Sequence, residues 1–593
     1  KSVSELRMEE AALITGIFRG PSLYSPYLNP DLTLRRRNFV LGRMVDQNVI
    51  SEKEAEAARI KPLGVFPRYR NVSEFAAYFK EEVRKYIVQN YGSDALLFSG
   101  LKVYTTLDPK MQGYAEDALL NQLRILDKRQ GWRDDKENLL EEGVETLDEI
   151  KLSTFSSWLK PDLSIGKIVD AVVLSAENKV ATVKIKDYLG FMDNAEIEWT
   201  LTNNLKNLIE IGDVIKVKIK EVDEEKKEMK VTLDQEPVLE GAFLAIDPLT
   251  GQIKAMVGGY SFERLEFNQA TQALRQSGSV IKPMLYTAAL ENGWNPSRAV
   301  VDERVEFPDK WADIPYAPRN YDRRYKGRVT LRMGLEQSRN VVTTKILDDI
   351  SPQTGVQYCR KFGITAPLRP YLSLALGAFE VRLIELVSAF STFPNKGVRI
   401  TPYFITRIED KDGNILEEHK TESDEVISPQ VAYIMTSLLQ GVVQRGTAQL
   451  ARGLEKPLGG KTGTADDYSN AWFIGFSPTL CAGVWVGHEQ GNISIGERQS
   501  GAVAALPAWI DFIQKTIEDE KRAAAENEEE YDPGEFEIPP NLDYATIDYK
   551  TGLLSNPICL FNFREVYLPG TAPTRWCTYE DHLMTWDYYD SIK

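Results

Sequence analysis

Gly278-Ser279-Val280-Ile281-Lys282-Pro283, followed by the apolar run Met284-Leu285-Tyr286-Thr287-Ala288-Ala289-Leu290, decides how the rest of the chain is read. The run predicts a helix, and residues three apart on a helix share a face. Ser279 and Lys282 are therefore expected to be neighbours. A serine hydroxyl is a poor nucleophile until a base takes its proton, and a lysine amine with a pKa lowered by desolvation or by other cations can serve. The helix N-terminus adds a positive field where negative charge develops. The chain has only three histidines, His419, His488 and His582, and none lies beside such a serine. A serine enzyme built from this sequence needs a base other than imidazole.

Two further motifs follow in order. Ser338-Arg339-Asn340 offers a second hydroxyl to relay a proton and an amide to hold a carbonyl. Lys461-Thr462-Gly463-Thr464 lies between Gly459-Gly460 and the apolar Ala471-Trp472-Phe473-Ile474. Lysine and hydroxyls along a strand make an anion-binding edge, and Gly463 lets a substrate backbone approach closely. S-x-x-K alone is weak, since composition predicts on the order of two matches in a chain of this length. Ser99-Gly100-Leu101-Lys102 and Ser164-Ile165-Gly166-Lys167 also match, but both lead into strands. Lys550-Thr551-Gly552 repeats the third motif and reads as a turn in the tail. The ordered set of SxxK, SxN and KTG is far more specific than any member of it.

At 593 residues the chain is too long for a single core. Its 43% hydrophobic and 27% charged residues are those of a globular protein, and the net charge of −16 argues against non-specific nucleic-acid binding through the bulk surface. No stretch reads as a membrane span. Ala471 to Gly487 is broken by Gly475, Ser477, Pro478 and Gly483 and predicts two strands and a turn. The helical pattern starts at Lys1, as in a trimmed or processed chain whose anchor would lie upstream. Residues 1–72 predict helices, with a capping box at Ser51 and Glu54. A linker region, 73–160 and 234–240, is expected to hold a helix from Phe75, a strand from Leu101 and a charged helical stretch. Residues 161–233 predict a small closed barrel of the OB type, with strands at Ile168–Val173, Val180–Ile185, Val214–Ile219 and Met229–Leu233. Residues 241–525 open on a hairpin, Ala242–Ile246 and Ile253–Val257, and continue as mixed helices and strands. The charged run Glu518–Glu530 reads as a solvated linker to a small appendage, 526–593. Cys559 and Cys577, in that tail, have a spacing compatible with a disulfide, and four buried thiols in a reducing compartment are the alternative. The absence of CxxC argues against zinc, and no metal site is expected.

At the three motifs the chain resembles a class A, bifunctional penicillin-binding protein of the Gram-negative type, lacking most of its glycosyltransferase domain. Arg275-Gln276-Ser277-Gly278-Ser279-Val280-Ile281-Lys282-Pro283 resembles the family's nucleophile segment, with Ser277 where proline is usual. Asn320-Tyr321-Asp322, Gly327 to Arg332, Ala375-Leu376-Gly377-Ala378 and Asn395-Lys396-Gly397 resemble its later landmarks, and Asn470 stands where aspartate is common. Glu9-Glu10-Ala11-Ala12, Pro21 to Pro26 and Arg36 to Leu41 resemble the end of its lysozyme-like glycosyltransferase domain. The catalytic glutamates of that domain lie in motifs absent here, so the chain as given is not expected to polymerise glycan strands. Arg36-Arg37 is either a remnant of a phosphate site or a solvated helix face. The barrel resembles the family's OB-type insert and also an S1 domain. Its slightly acidic charge and sparse aromatics argue against RNA and favour protein docking or spacing.

The resemblance implies a multidomain α/β (α+β) fold in which an antiparallel sheet flanked by helices forms a penicillin-binding, β-lactamase-like transpeptidase domain. It implies a DD-transpeptidase that cross-links stem peptides and is acylated by β-lactams. Ser279 would attack the penultimate D-Ala, Lys282 take its proton, and Ser338, near Lys461, protonate the leaving nitrogen. Backbone N–H groups of Ser279 and Thr464 would form the oxyanion hole. Thr462, Gly463 and Thr464 would hold the terminal carboxylate and backbone, and Asn340 a peptide carbonyl. No cofactor is needed and no nucleic acid is expected. The implied address is the periplasmic face of the inner membrane, through a single-pass anchor outside this chain, with regulatory proteins reaching the barrel. Under that address Cys559–Cys577 becomes a disulfide, while Cys359 and Cys481 stay buried thiols. A DD-carboxypeptidase, a β-lactamase and a non-catalytic wall-assembly scaffold are the rivals.

Overall fold

A computed structural model describes residues 6–583 and 585, apart from 21–23, 27–28, 65–74, 134–136, 141–157, 159–162, 309–314 and 466. Part of the Pro21–Pro26 motif and of the charged stretch before the barrel thus lies outside the described residues. The chain forms two compact units, residues 1–73 and 74–593. In the first, helices Met8–Ile17, Pro30–Asp46 and Glu52–Arg59 pack around Ala12, Leu41 and Ala58. Ser51 and Glu54 form the predicted capping box. Arg37 is buried and donates to the carbonyls of Arg59, Lys61 and Pro62, so it braces this unit rather than facing solvent.

The second unit contains the barrel. Strands Ile168–Ala176, Val180–Ile185, Tyr188–Asp193, Asp213–Asp223 and Glu228–Asp234 close on one another. Closure comes from the parallel pairing of Tyr188–Asp193 with Glu228–Asp234, which also pairs antiparallel with Asp213–Asp223. Alternate residues of Asp213–Ile219 are buried, as one wall of a small barrel requires. The strand at Tyr188–Asp193 has no clear signature in the sequence. Gly190 interrupts it because a Cβ there would meet Val183 Cγ2 at 2.7 Å.

The main sheet has five antiparallel strands in the order Gly459–Thr464, Asn470–Phe476, Cys481–Gly487, Glu240–Ile246 and Ile253–Val257. Every residue of the three middle strands is buried. Antiparallel strands usually alternate, so continuous burial means both faces are covered. Helices Pro109–Lys128, Lys282–Glu291, Leu383–Ser391, Pro429–Gln444 and Leu506–Glu526 share one core with this sheet. The last helix corrects the reading of Glu518–Glu530 as a linker. Trp509, Phe512, Ile513 and Ile517 face the core at helical spacing, and pairs such as Asp519 with Arg522 (3.0 Å) carry the helix on through the charged run. No proline or glycine stops it before Pro533. The tail returns as a hairpin, Asp543–Asp548 with Asn562–Tyr567, and a short helix, Tyr579–Leu583.

Candidate active site

Ser279 does not sit on the α-helix itself. It lies half-buried in a 3₁₀ turn, Gly278–Ile281, and Lys282 is the first residue of the helix Lys282–Glu291. Residues i and i+3 of a 3₁₀ turn eclipse one another, so the change of helix type does not by itself separate the two side chains, while the hydrogen bonds of Lys282 run to Ser338 and Asn340. The turn packs against the edge strand Gly459–Thr464 so closely that glycine is required on both sides. A Cβ on Gly278 (φ 53°) would lie 2.6 Å from the Thr464 carbonyl oxygen, and one on Gly463 would lie 2.8 Å from Val280 Cγ1. Trp472 Nε1 donates to the Gln276 carbonyl at 2.8 Å and anchors the approach to the turn. From the other side Gly377 accepts from the Ser277 hydroxyl at 3.3 Å. Serine at 277 thus fills a buried hydrogen bond that proline could not make.

The Ser338-Arg339-Asn340 turn closes the third side. Ser338 is held at φ 54°, a left-handed conformation that L-residues other than glycine adopt at a cost. It is pinned by its neighbours. Arg339 pairs with Asp302 (2.9 Å) and Asp322 (2.8 Å), and Asn320 bonds both Asp302 and the N–H of Val341. This is why Asn320-Tyr321-Asp322 accompanies the motif. The result is a convergence of three distant segments. Fully buried Lys282 donates through Nζ to the Ser338 carbonyl (2.8 Å), to its Oγ (3.4 Å) and to Asn340 Oδ1 (2.7 Å). Fully buried Lys461 donates to Ser338 Oγ (2.8 Å) and the Thr462 carbonyl (3.0 Å). Burial alone pushes the Lys461 amine down to about 7. Ser338 Oγ therefore stands between two amines, one of them able to change charge near neutral pH.

Several participants were not visible in the motifs. The Thr447 and Thr462 hydroxyls lie 2.6 Å apart. Thr464 Oγ1 accepts from the Gly501 N–H at 3.1 Å. Tyr321, from the second motif's approach, meets Tyr468, from the loop after the third, edge to face at 5.9 Å. Arg332 and Glu336, on the helix that ends just before Ser338, bind Glu565 and Tyr549 of the tail. The tail also carries a departure from expectation. Cys559 and Cys577 are free buried thiols rather than a disulfide. Cys577 Sγ contacts His582 Nε2 at 3.3 Å and Thr551 Oγ1 at 3.4 Å, and Cys559 Sγ lies within 4.8 Å of it, unbonded. Cys359 and Cys481 are buried thiols, as read. Lys550-Thr551-Gly552 is the predicted turn, with Gly552 at φ 73°.

Residues 241–505 match the family described as "Penicillin binding protein transpeptidase domain", and residues 162–233 match "S1 RNA binding domain". The chain is 33% identical to penicillin-binding protein 1A of Aquifex aeolicus over 98% of its own length and 74% of that protein's. It is equally identical to the Neisseria flavescens protein of that name, over 86% of this chain and 64% of the relative. The crystal structure of penicillin-binding protein 1A from Haemophilus influenzae superposes with a TM-score of 0.74 at 28% identity, covering 98% of this chain and 88% of that one. On this evidence the chain belongs to the penicillin-binding protein 1A family and carries that family's peptidoglycan transpeptidase domain.

Proposed function

We propose that the chain cross-links stem peptides through an acyl-enzyme on Ser279. The observation that carries this reading is the placing of Ser338 Oγ between the amines of Lys282 and Lys461, beside the turn that bears Ser279. With Lys282 neutral, its two N–H groups serve the Ser338 carbonyl and Asn340 Oδ1, and its lone pair takes the proton of Ser279 as that oxygen attacks the penultimate D-Ala carbonyl. Lys461 lends a proton through Ser338 to the departing D-Ala nitrogen. The backbone of Gly278–Ser279 lies against that of Thr464, which supports an oxyanion hole from the N–H groups of Ser279 and Thr464, each donor being worth about 3 kcal/mol. Thr462 and Thr464 take the terminal carboxylate along the strand edge that Gly463 leaves open, and Asn340 takes a peptide carbonyl. An amine from a neighbouring stem peptide then attacks the ester and frees Ser279. β-Lactams enter as the donor and leave a slow-hydrolysing adduct.

Residues 1–72 read as the end of a glycosyltransferase domain, so a longer parent would also polymerise glycan strands, anchored at the periplasmic face of the inner membrane. Among the described residues no helix is long and apolar enough to cross a membrane. The barrel, 161–233, serves a protein partner. Single-stranded RNA, suggested by the S1 likeness, is the second reading. Against it, Lys227 already covers the Tyr188 ring, 4.6 Å from its centre, where a stacking platform would be needed. Titration with a fluorescent RNA oligonucleotide decides: micromolar or tighter binding moves the barrel to that class.

The test of the main reading is intact mass after penicillin. One adduct is expected on the wild type and none on Ser279→Ala, with acyl-enzyme lifetimes far longer than the seconds of a β-lactamase. An adduct on both chains moves the nucleophile elsewhere.

A further inference from the structure

The tail, residues 541–583, rests its hairpin on the main core through Val566, with Tyr549 and Leu568 packed beside it. Outside that hairpin its buried apolar side chains among the described residues are Cys559 and Cys577. Segments of this size with so small a core are commonly stapled by a disulfide or a metal. The two sulfurs and His582 Nε2 all lie within 4.8 Å of one another, and Cys577 Sγ is 3.3 Å from the imidazole nitrogen. Around a tetrahedral zinc ion, with bonds of about 2.3 Å to sulfur and about 2.0 Å to nitrogen, neighbouring ligand atoms stand about 3.5–3.8 Å apart. The triangle of ligand atoms has that scale.

Three observations around the triangle favour a cation over a simple sulfur bridge. A disulfide has no use for an imidazole, whereas His582 is carried into contact by a loop that Asp581 fixes through the Thr578 N–H (2.9 Å) and hydroxyl (2.8 Å). Thr551 Oγ1 donates to Cys577 Sγ, the kind of outer contact that steadies a thiolate ligand. Asp548 is fully buried, and its Oδ2 has no hydrogen-bond partner among the described residues. We infer that Cys559, Cys577 and His582 bind one zinc ion, leaving a fourth position for water, and that this ion staples the loop before Asn562–Tyr567 to the segment that carries Tyr579–Leu583. Binding displaces both thiol protons to solvent. The sequence hid the site because its cysteines are eighteen residues apart and its histidine lies beyond both.

The test uses the full chain, reduced and stripped of metal, titrated with zinc alone. One equivalent is expected to bind, with release of about two protons. Cobalt in its place should show a thiolate charge-transfer band. His582→Ala separates the ion from a disulfide, since it leaves both thiols in place. It should weaken zinc binding more than about 100-fold while fluorescent penicillin still labels the chain, which shows that the transpeptidase domain is folded. Cys559→Ser should do the same. Zinc uptake undiminished in His582→Ala overturns the assignment. So does a chain that, once reduced, takes up no stoichiometric zinc, whether or not its thiols were joined on isolation.

Discussion

Two fully buried cations, Lys461 and Arg332, flank the loop that carries Ser338, and they are treated oppositely. Arg332 is bound by Glu565 through two contacts of 2.5 and 2.6 Å, with Glu336 at 3.4 Å and Arg445 completing the cluster at 2.6 Å from Glu336. Burial works against its charge, yet Glu565 and Glu336 hold the guanidinium above its ordinary value. Among the described residues Lys461 donates to neutral oxygens, the Ser338 hydroxyl and the Thr462 carbonyl, and burial brings it down to about 7. A structural ion is thus neutralised by partners and locked in one state. The one at the site is left desolvated and able to exchange a proton at working pH, as acid–base chemistry requires.

The largest effects should separate the two by kind. Lys461→Met should lower the acylation rate with penicillin by about 10²–10⁴-fold, yet leave Tm unchanged or raise it, because it removes a buried charge that no carboxylate compensates. Stopped-flow acylation and a thermal melt on the same preparation check both halves. A melt that drops several degrees would mean the lysine is structural. Glu565→Gln should do the reverse. It leaves Arg332 short of a counter-charge and should cost about 3 kcal/mol of stability, with acylation reduced only as far as the helix Leu331–Glu336 before Ser338 shifts. Replacing both partners, Arg332→Met with Glu565→Leu, should recover most of that loss. If the double variant is as unstable as the single, the cluster is not a closed ionic pair.

The same contrast explains how much could be read beforehand. SxxK, SxN and KTG were legible because each is a short-range device. A turn, a strained loop or a strand edge sets its geometry within a few residues, and their order in the chain did the rest. The strands of the sheet were legible as continuous apolar runs. What brings the devices together was not. Glu565 lies 233 residues beyond Arg332, and nothing local marks either as a partner. Resemblance marked Gly377, but its reason shows only in the left-handed backbone held against the nucleophile turn, where a Cβ would fall 2.1 Å from the Gly278 carbonyl oxygen. Glu518–Glu530 misled because a charge run looks the same whether it is a linker or the solvated end of an amphipathic helix. Its fate was set by Trp509, Phe512 and Ile513 upstream.

pH sharpens the comparison further. The folded pKa of Lys461, about 7, lies below its ordinary 10.5. Between those values the unfolded chain holds the extra proton, so this group makes stability rise as pH rises through the window, its penalty being present in full below about 7. The proposed chemistry needs that same proton, so acylation should fall as pH rises past about 7. Opposed slopes from one residue are the signature. Lys461→Arg, which cannot deprotonate, should abolish the falling limb of the acylation profile. A limb that persists there belongs to another group.

The smallest expected effect lies at Thr447. Its hydroxyl touches the neutral hydroxyl of Thr462 at 2.6 Å. Thr447→Val removes one neutral hydrogen bond, about 1 kcal/mol, and should lower the second-order rate constant of acylation about fivefold. It should act by weakening the hold on the substrate carboxylate through Thr462, so the loss should appear in the binding of penicillin before acylation and leave the limiting rate nearly intact. The pH profile set by Lys461 should not move. A Thr447→Val variant that shifts the profile would instead tie this threonine to the proton held by Lys461, and would extend the exchangeable region of the site one residue beyond the strand edge.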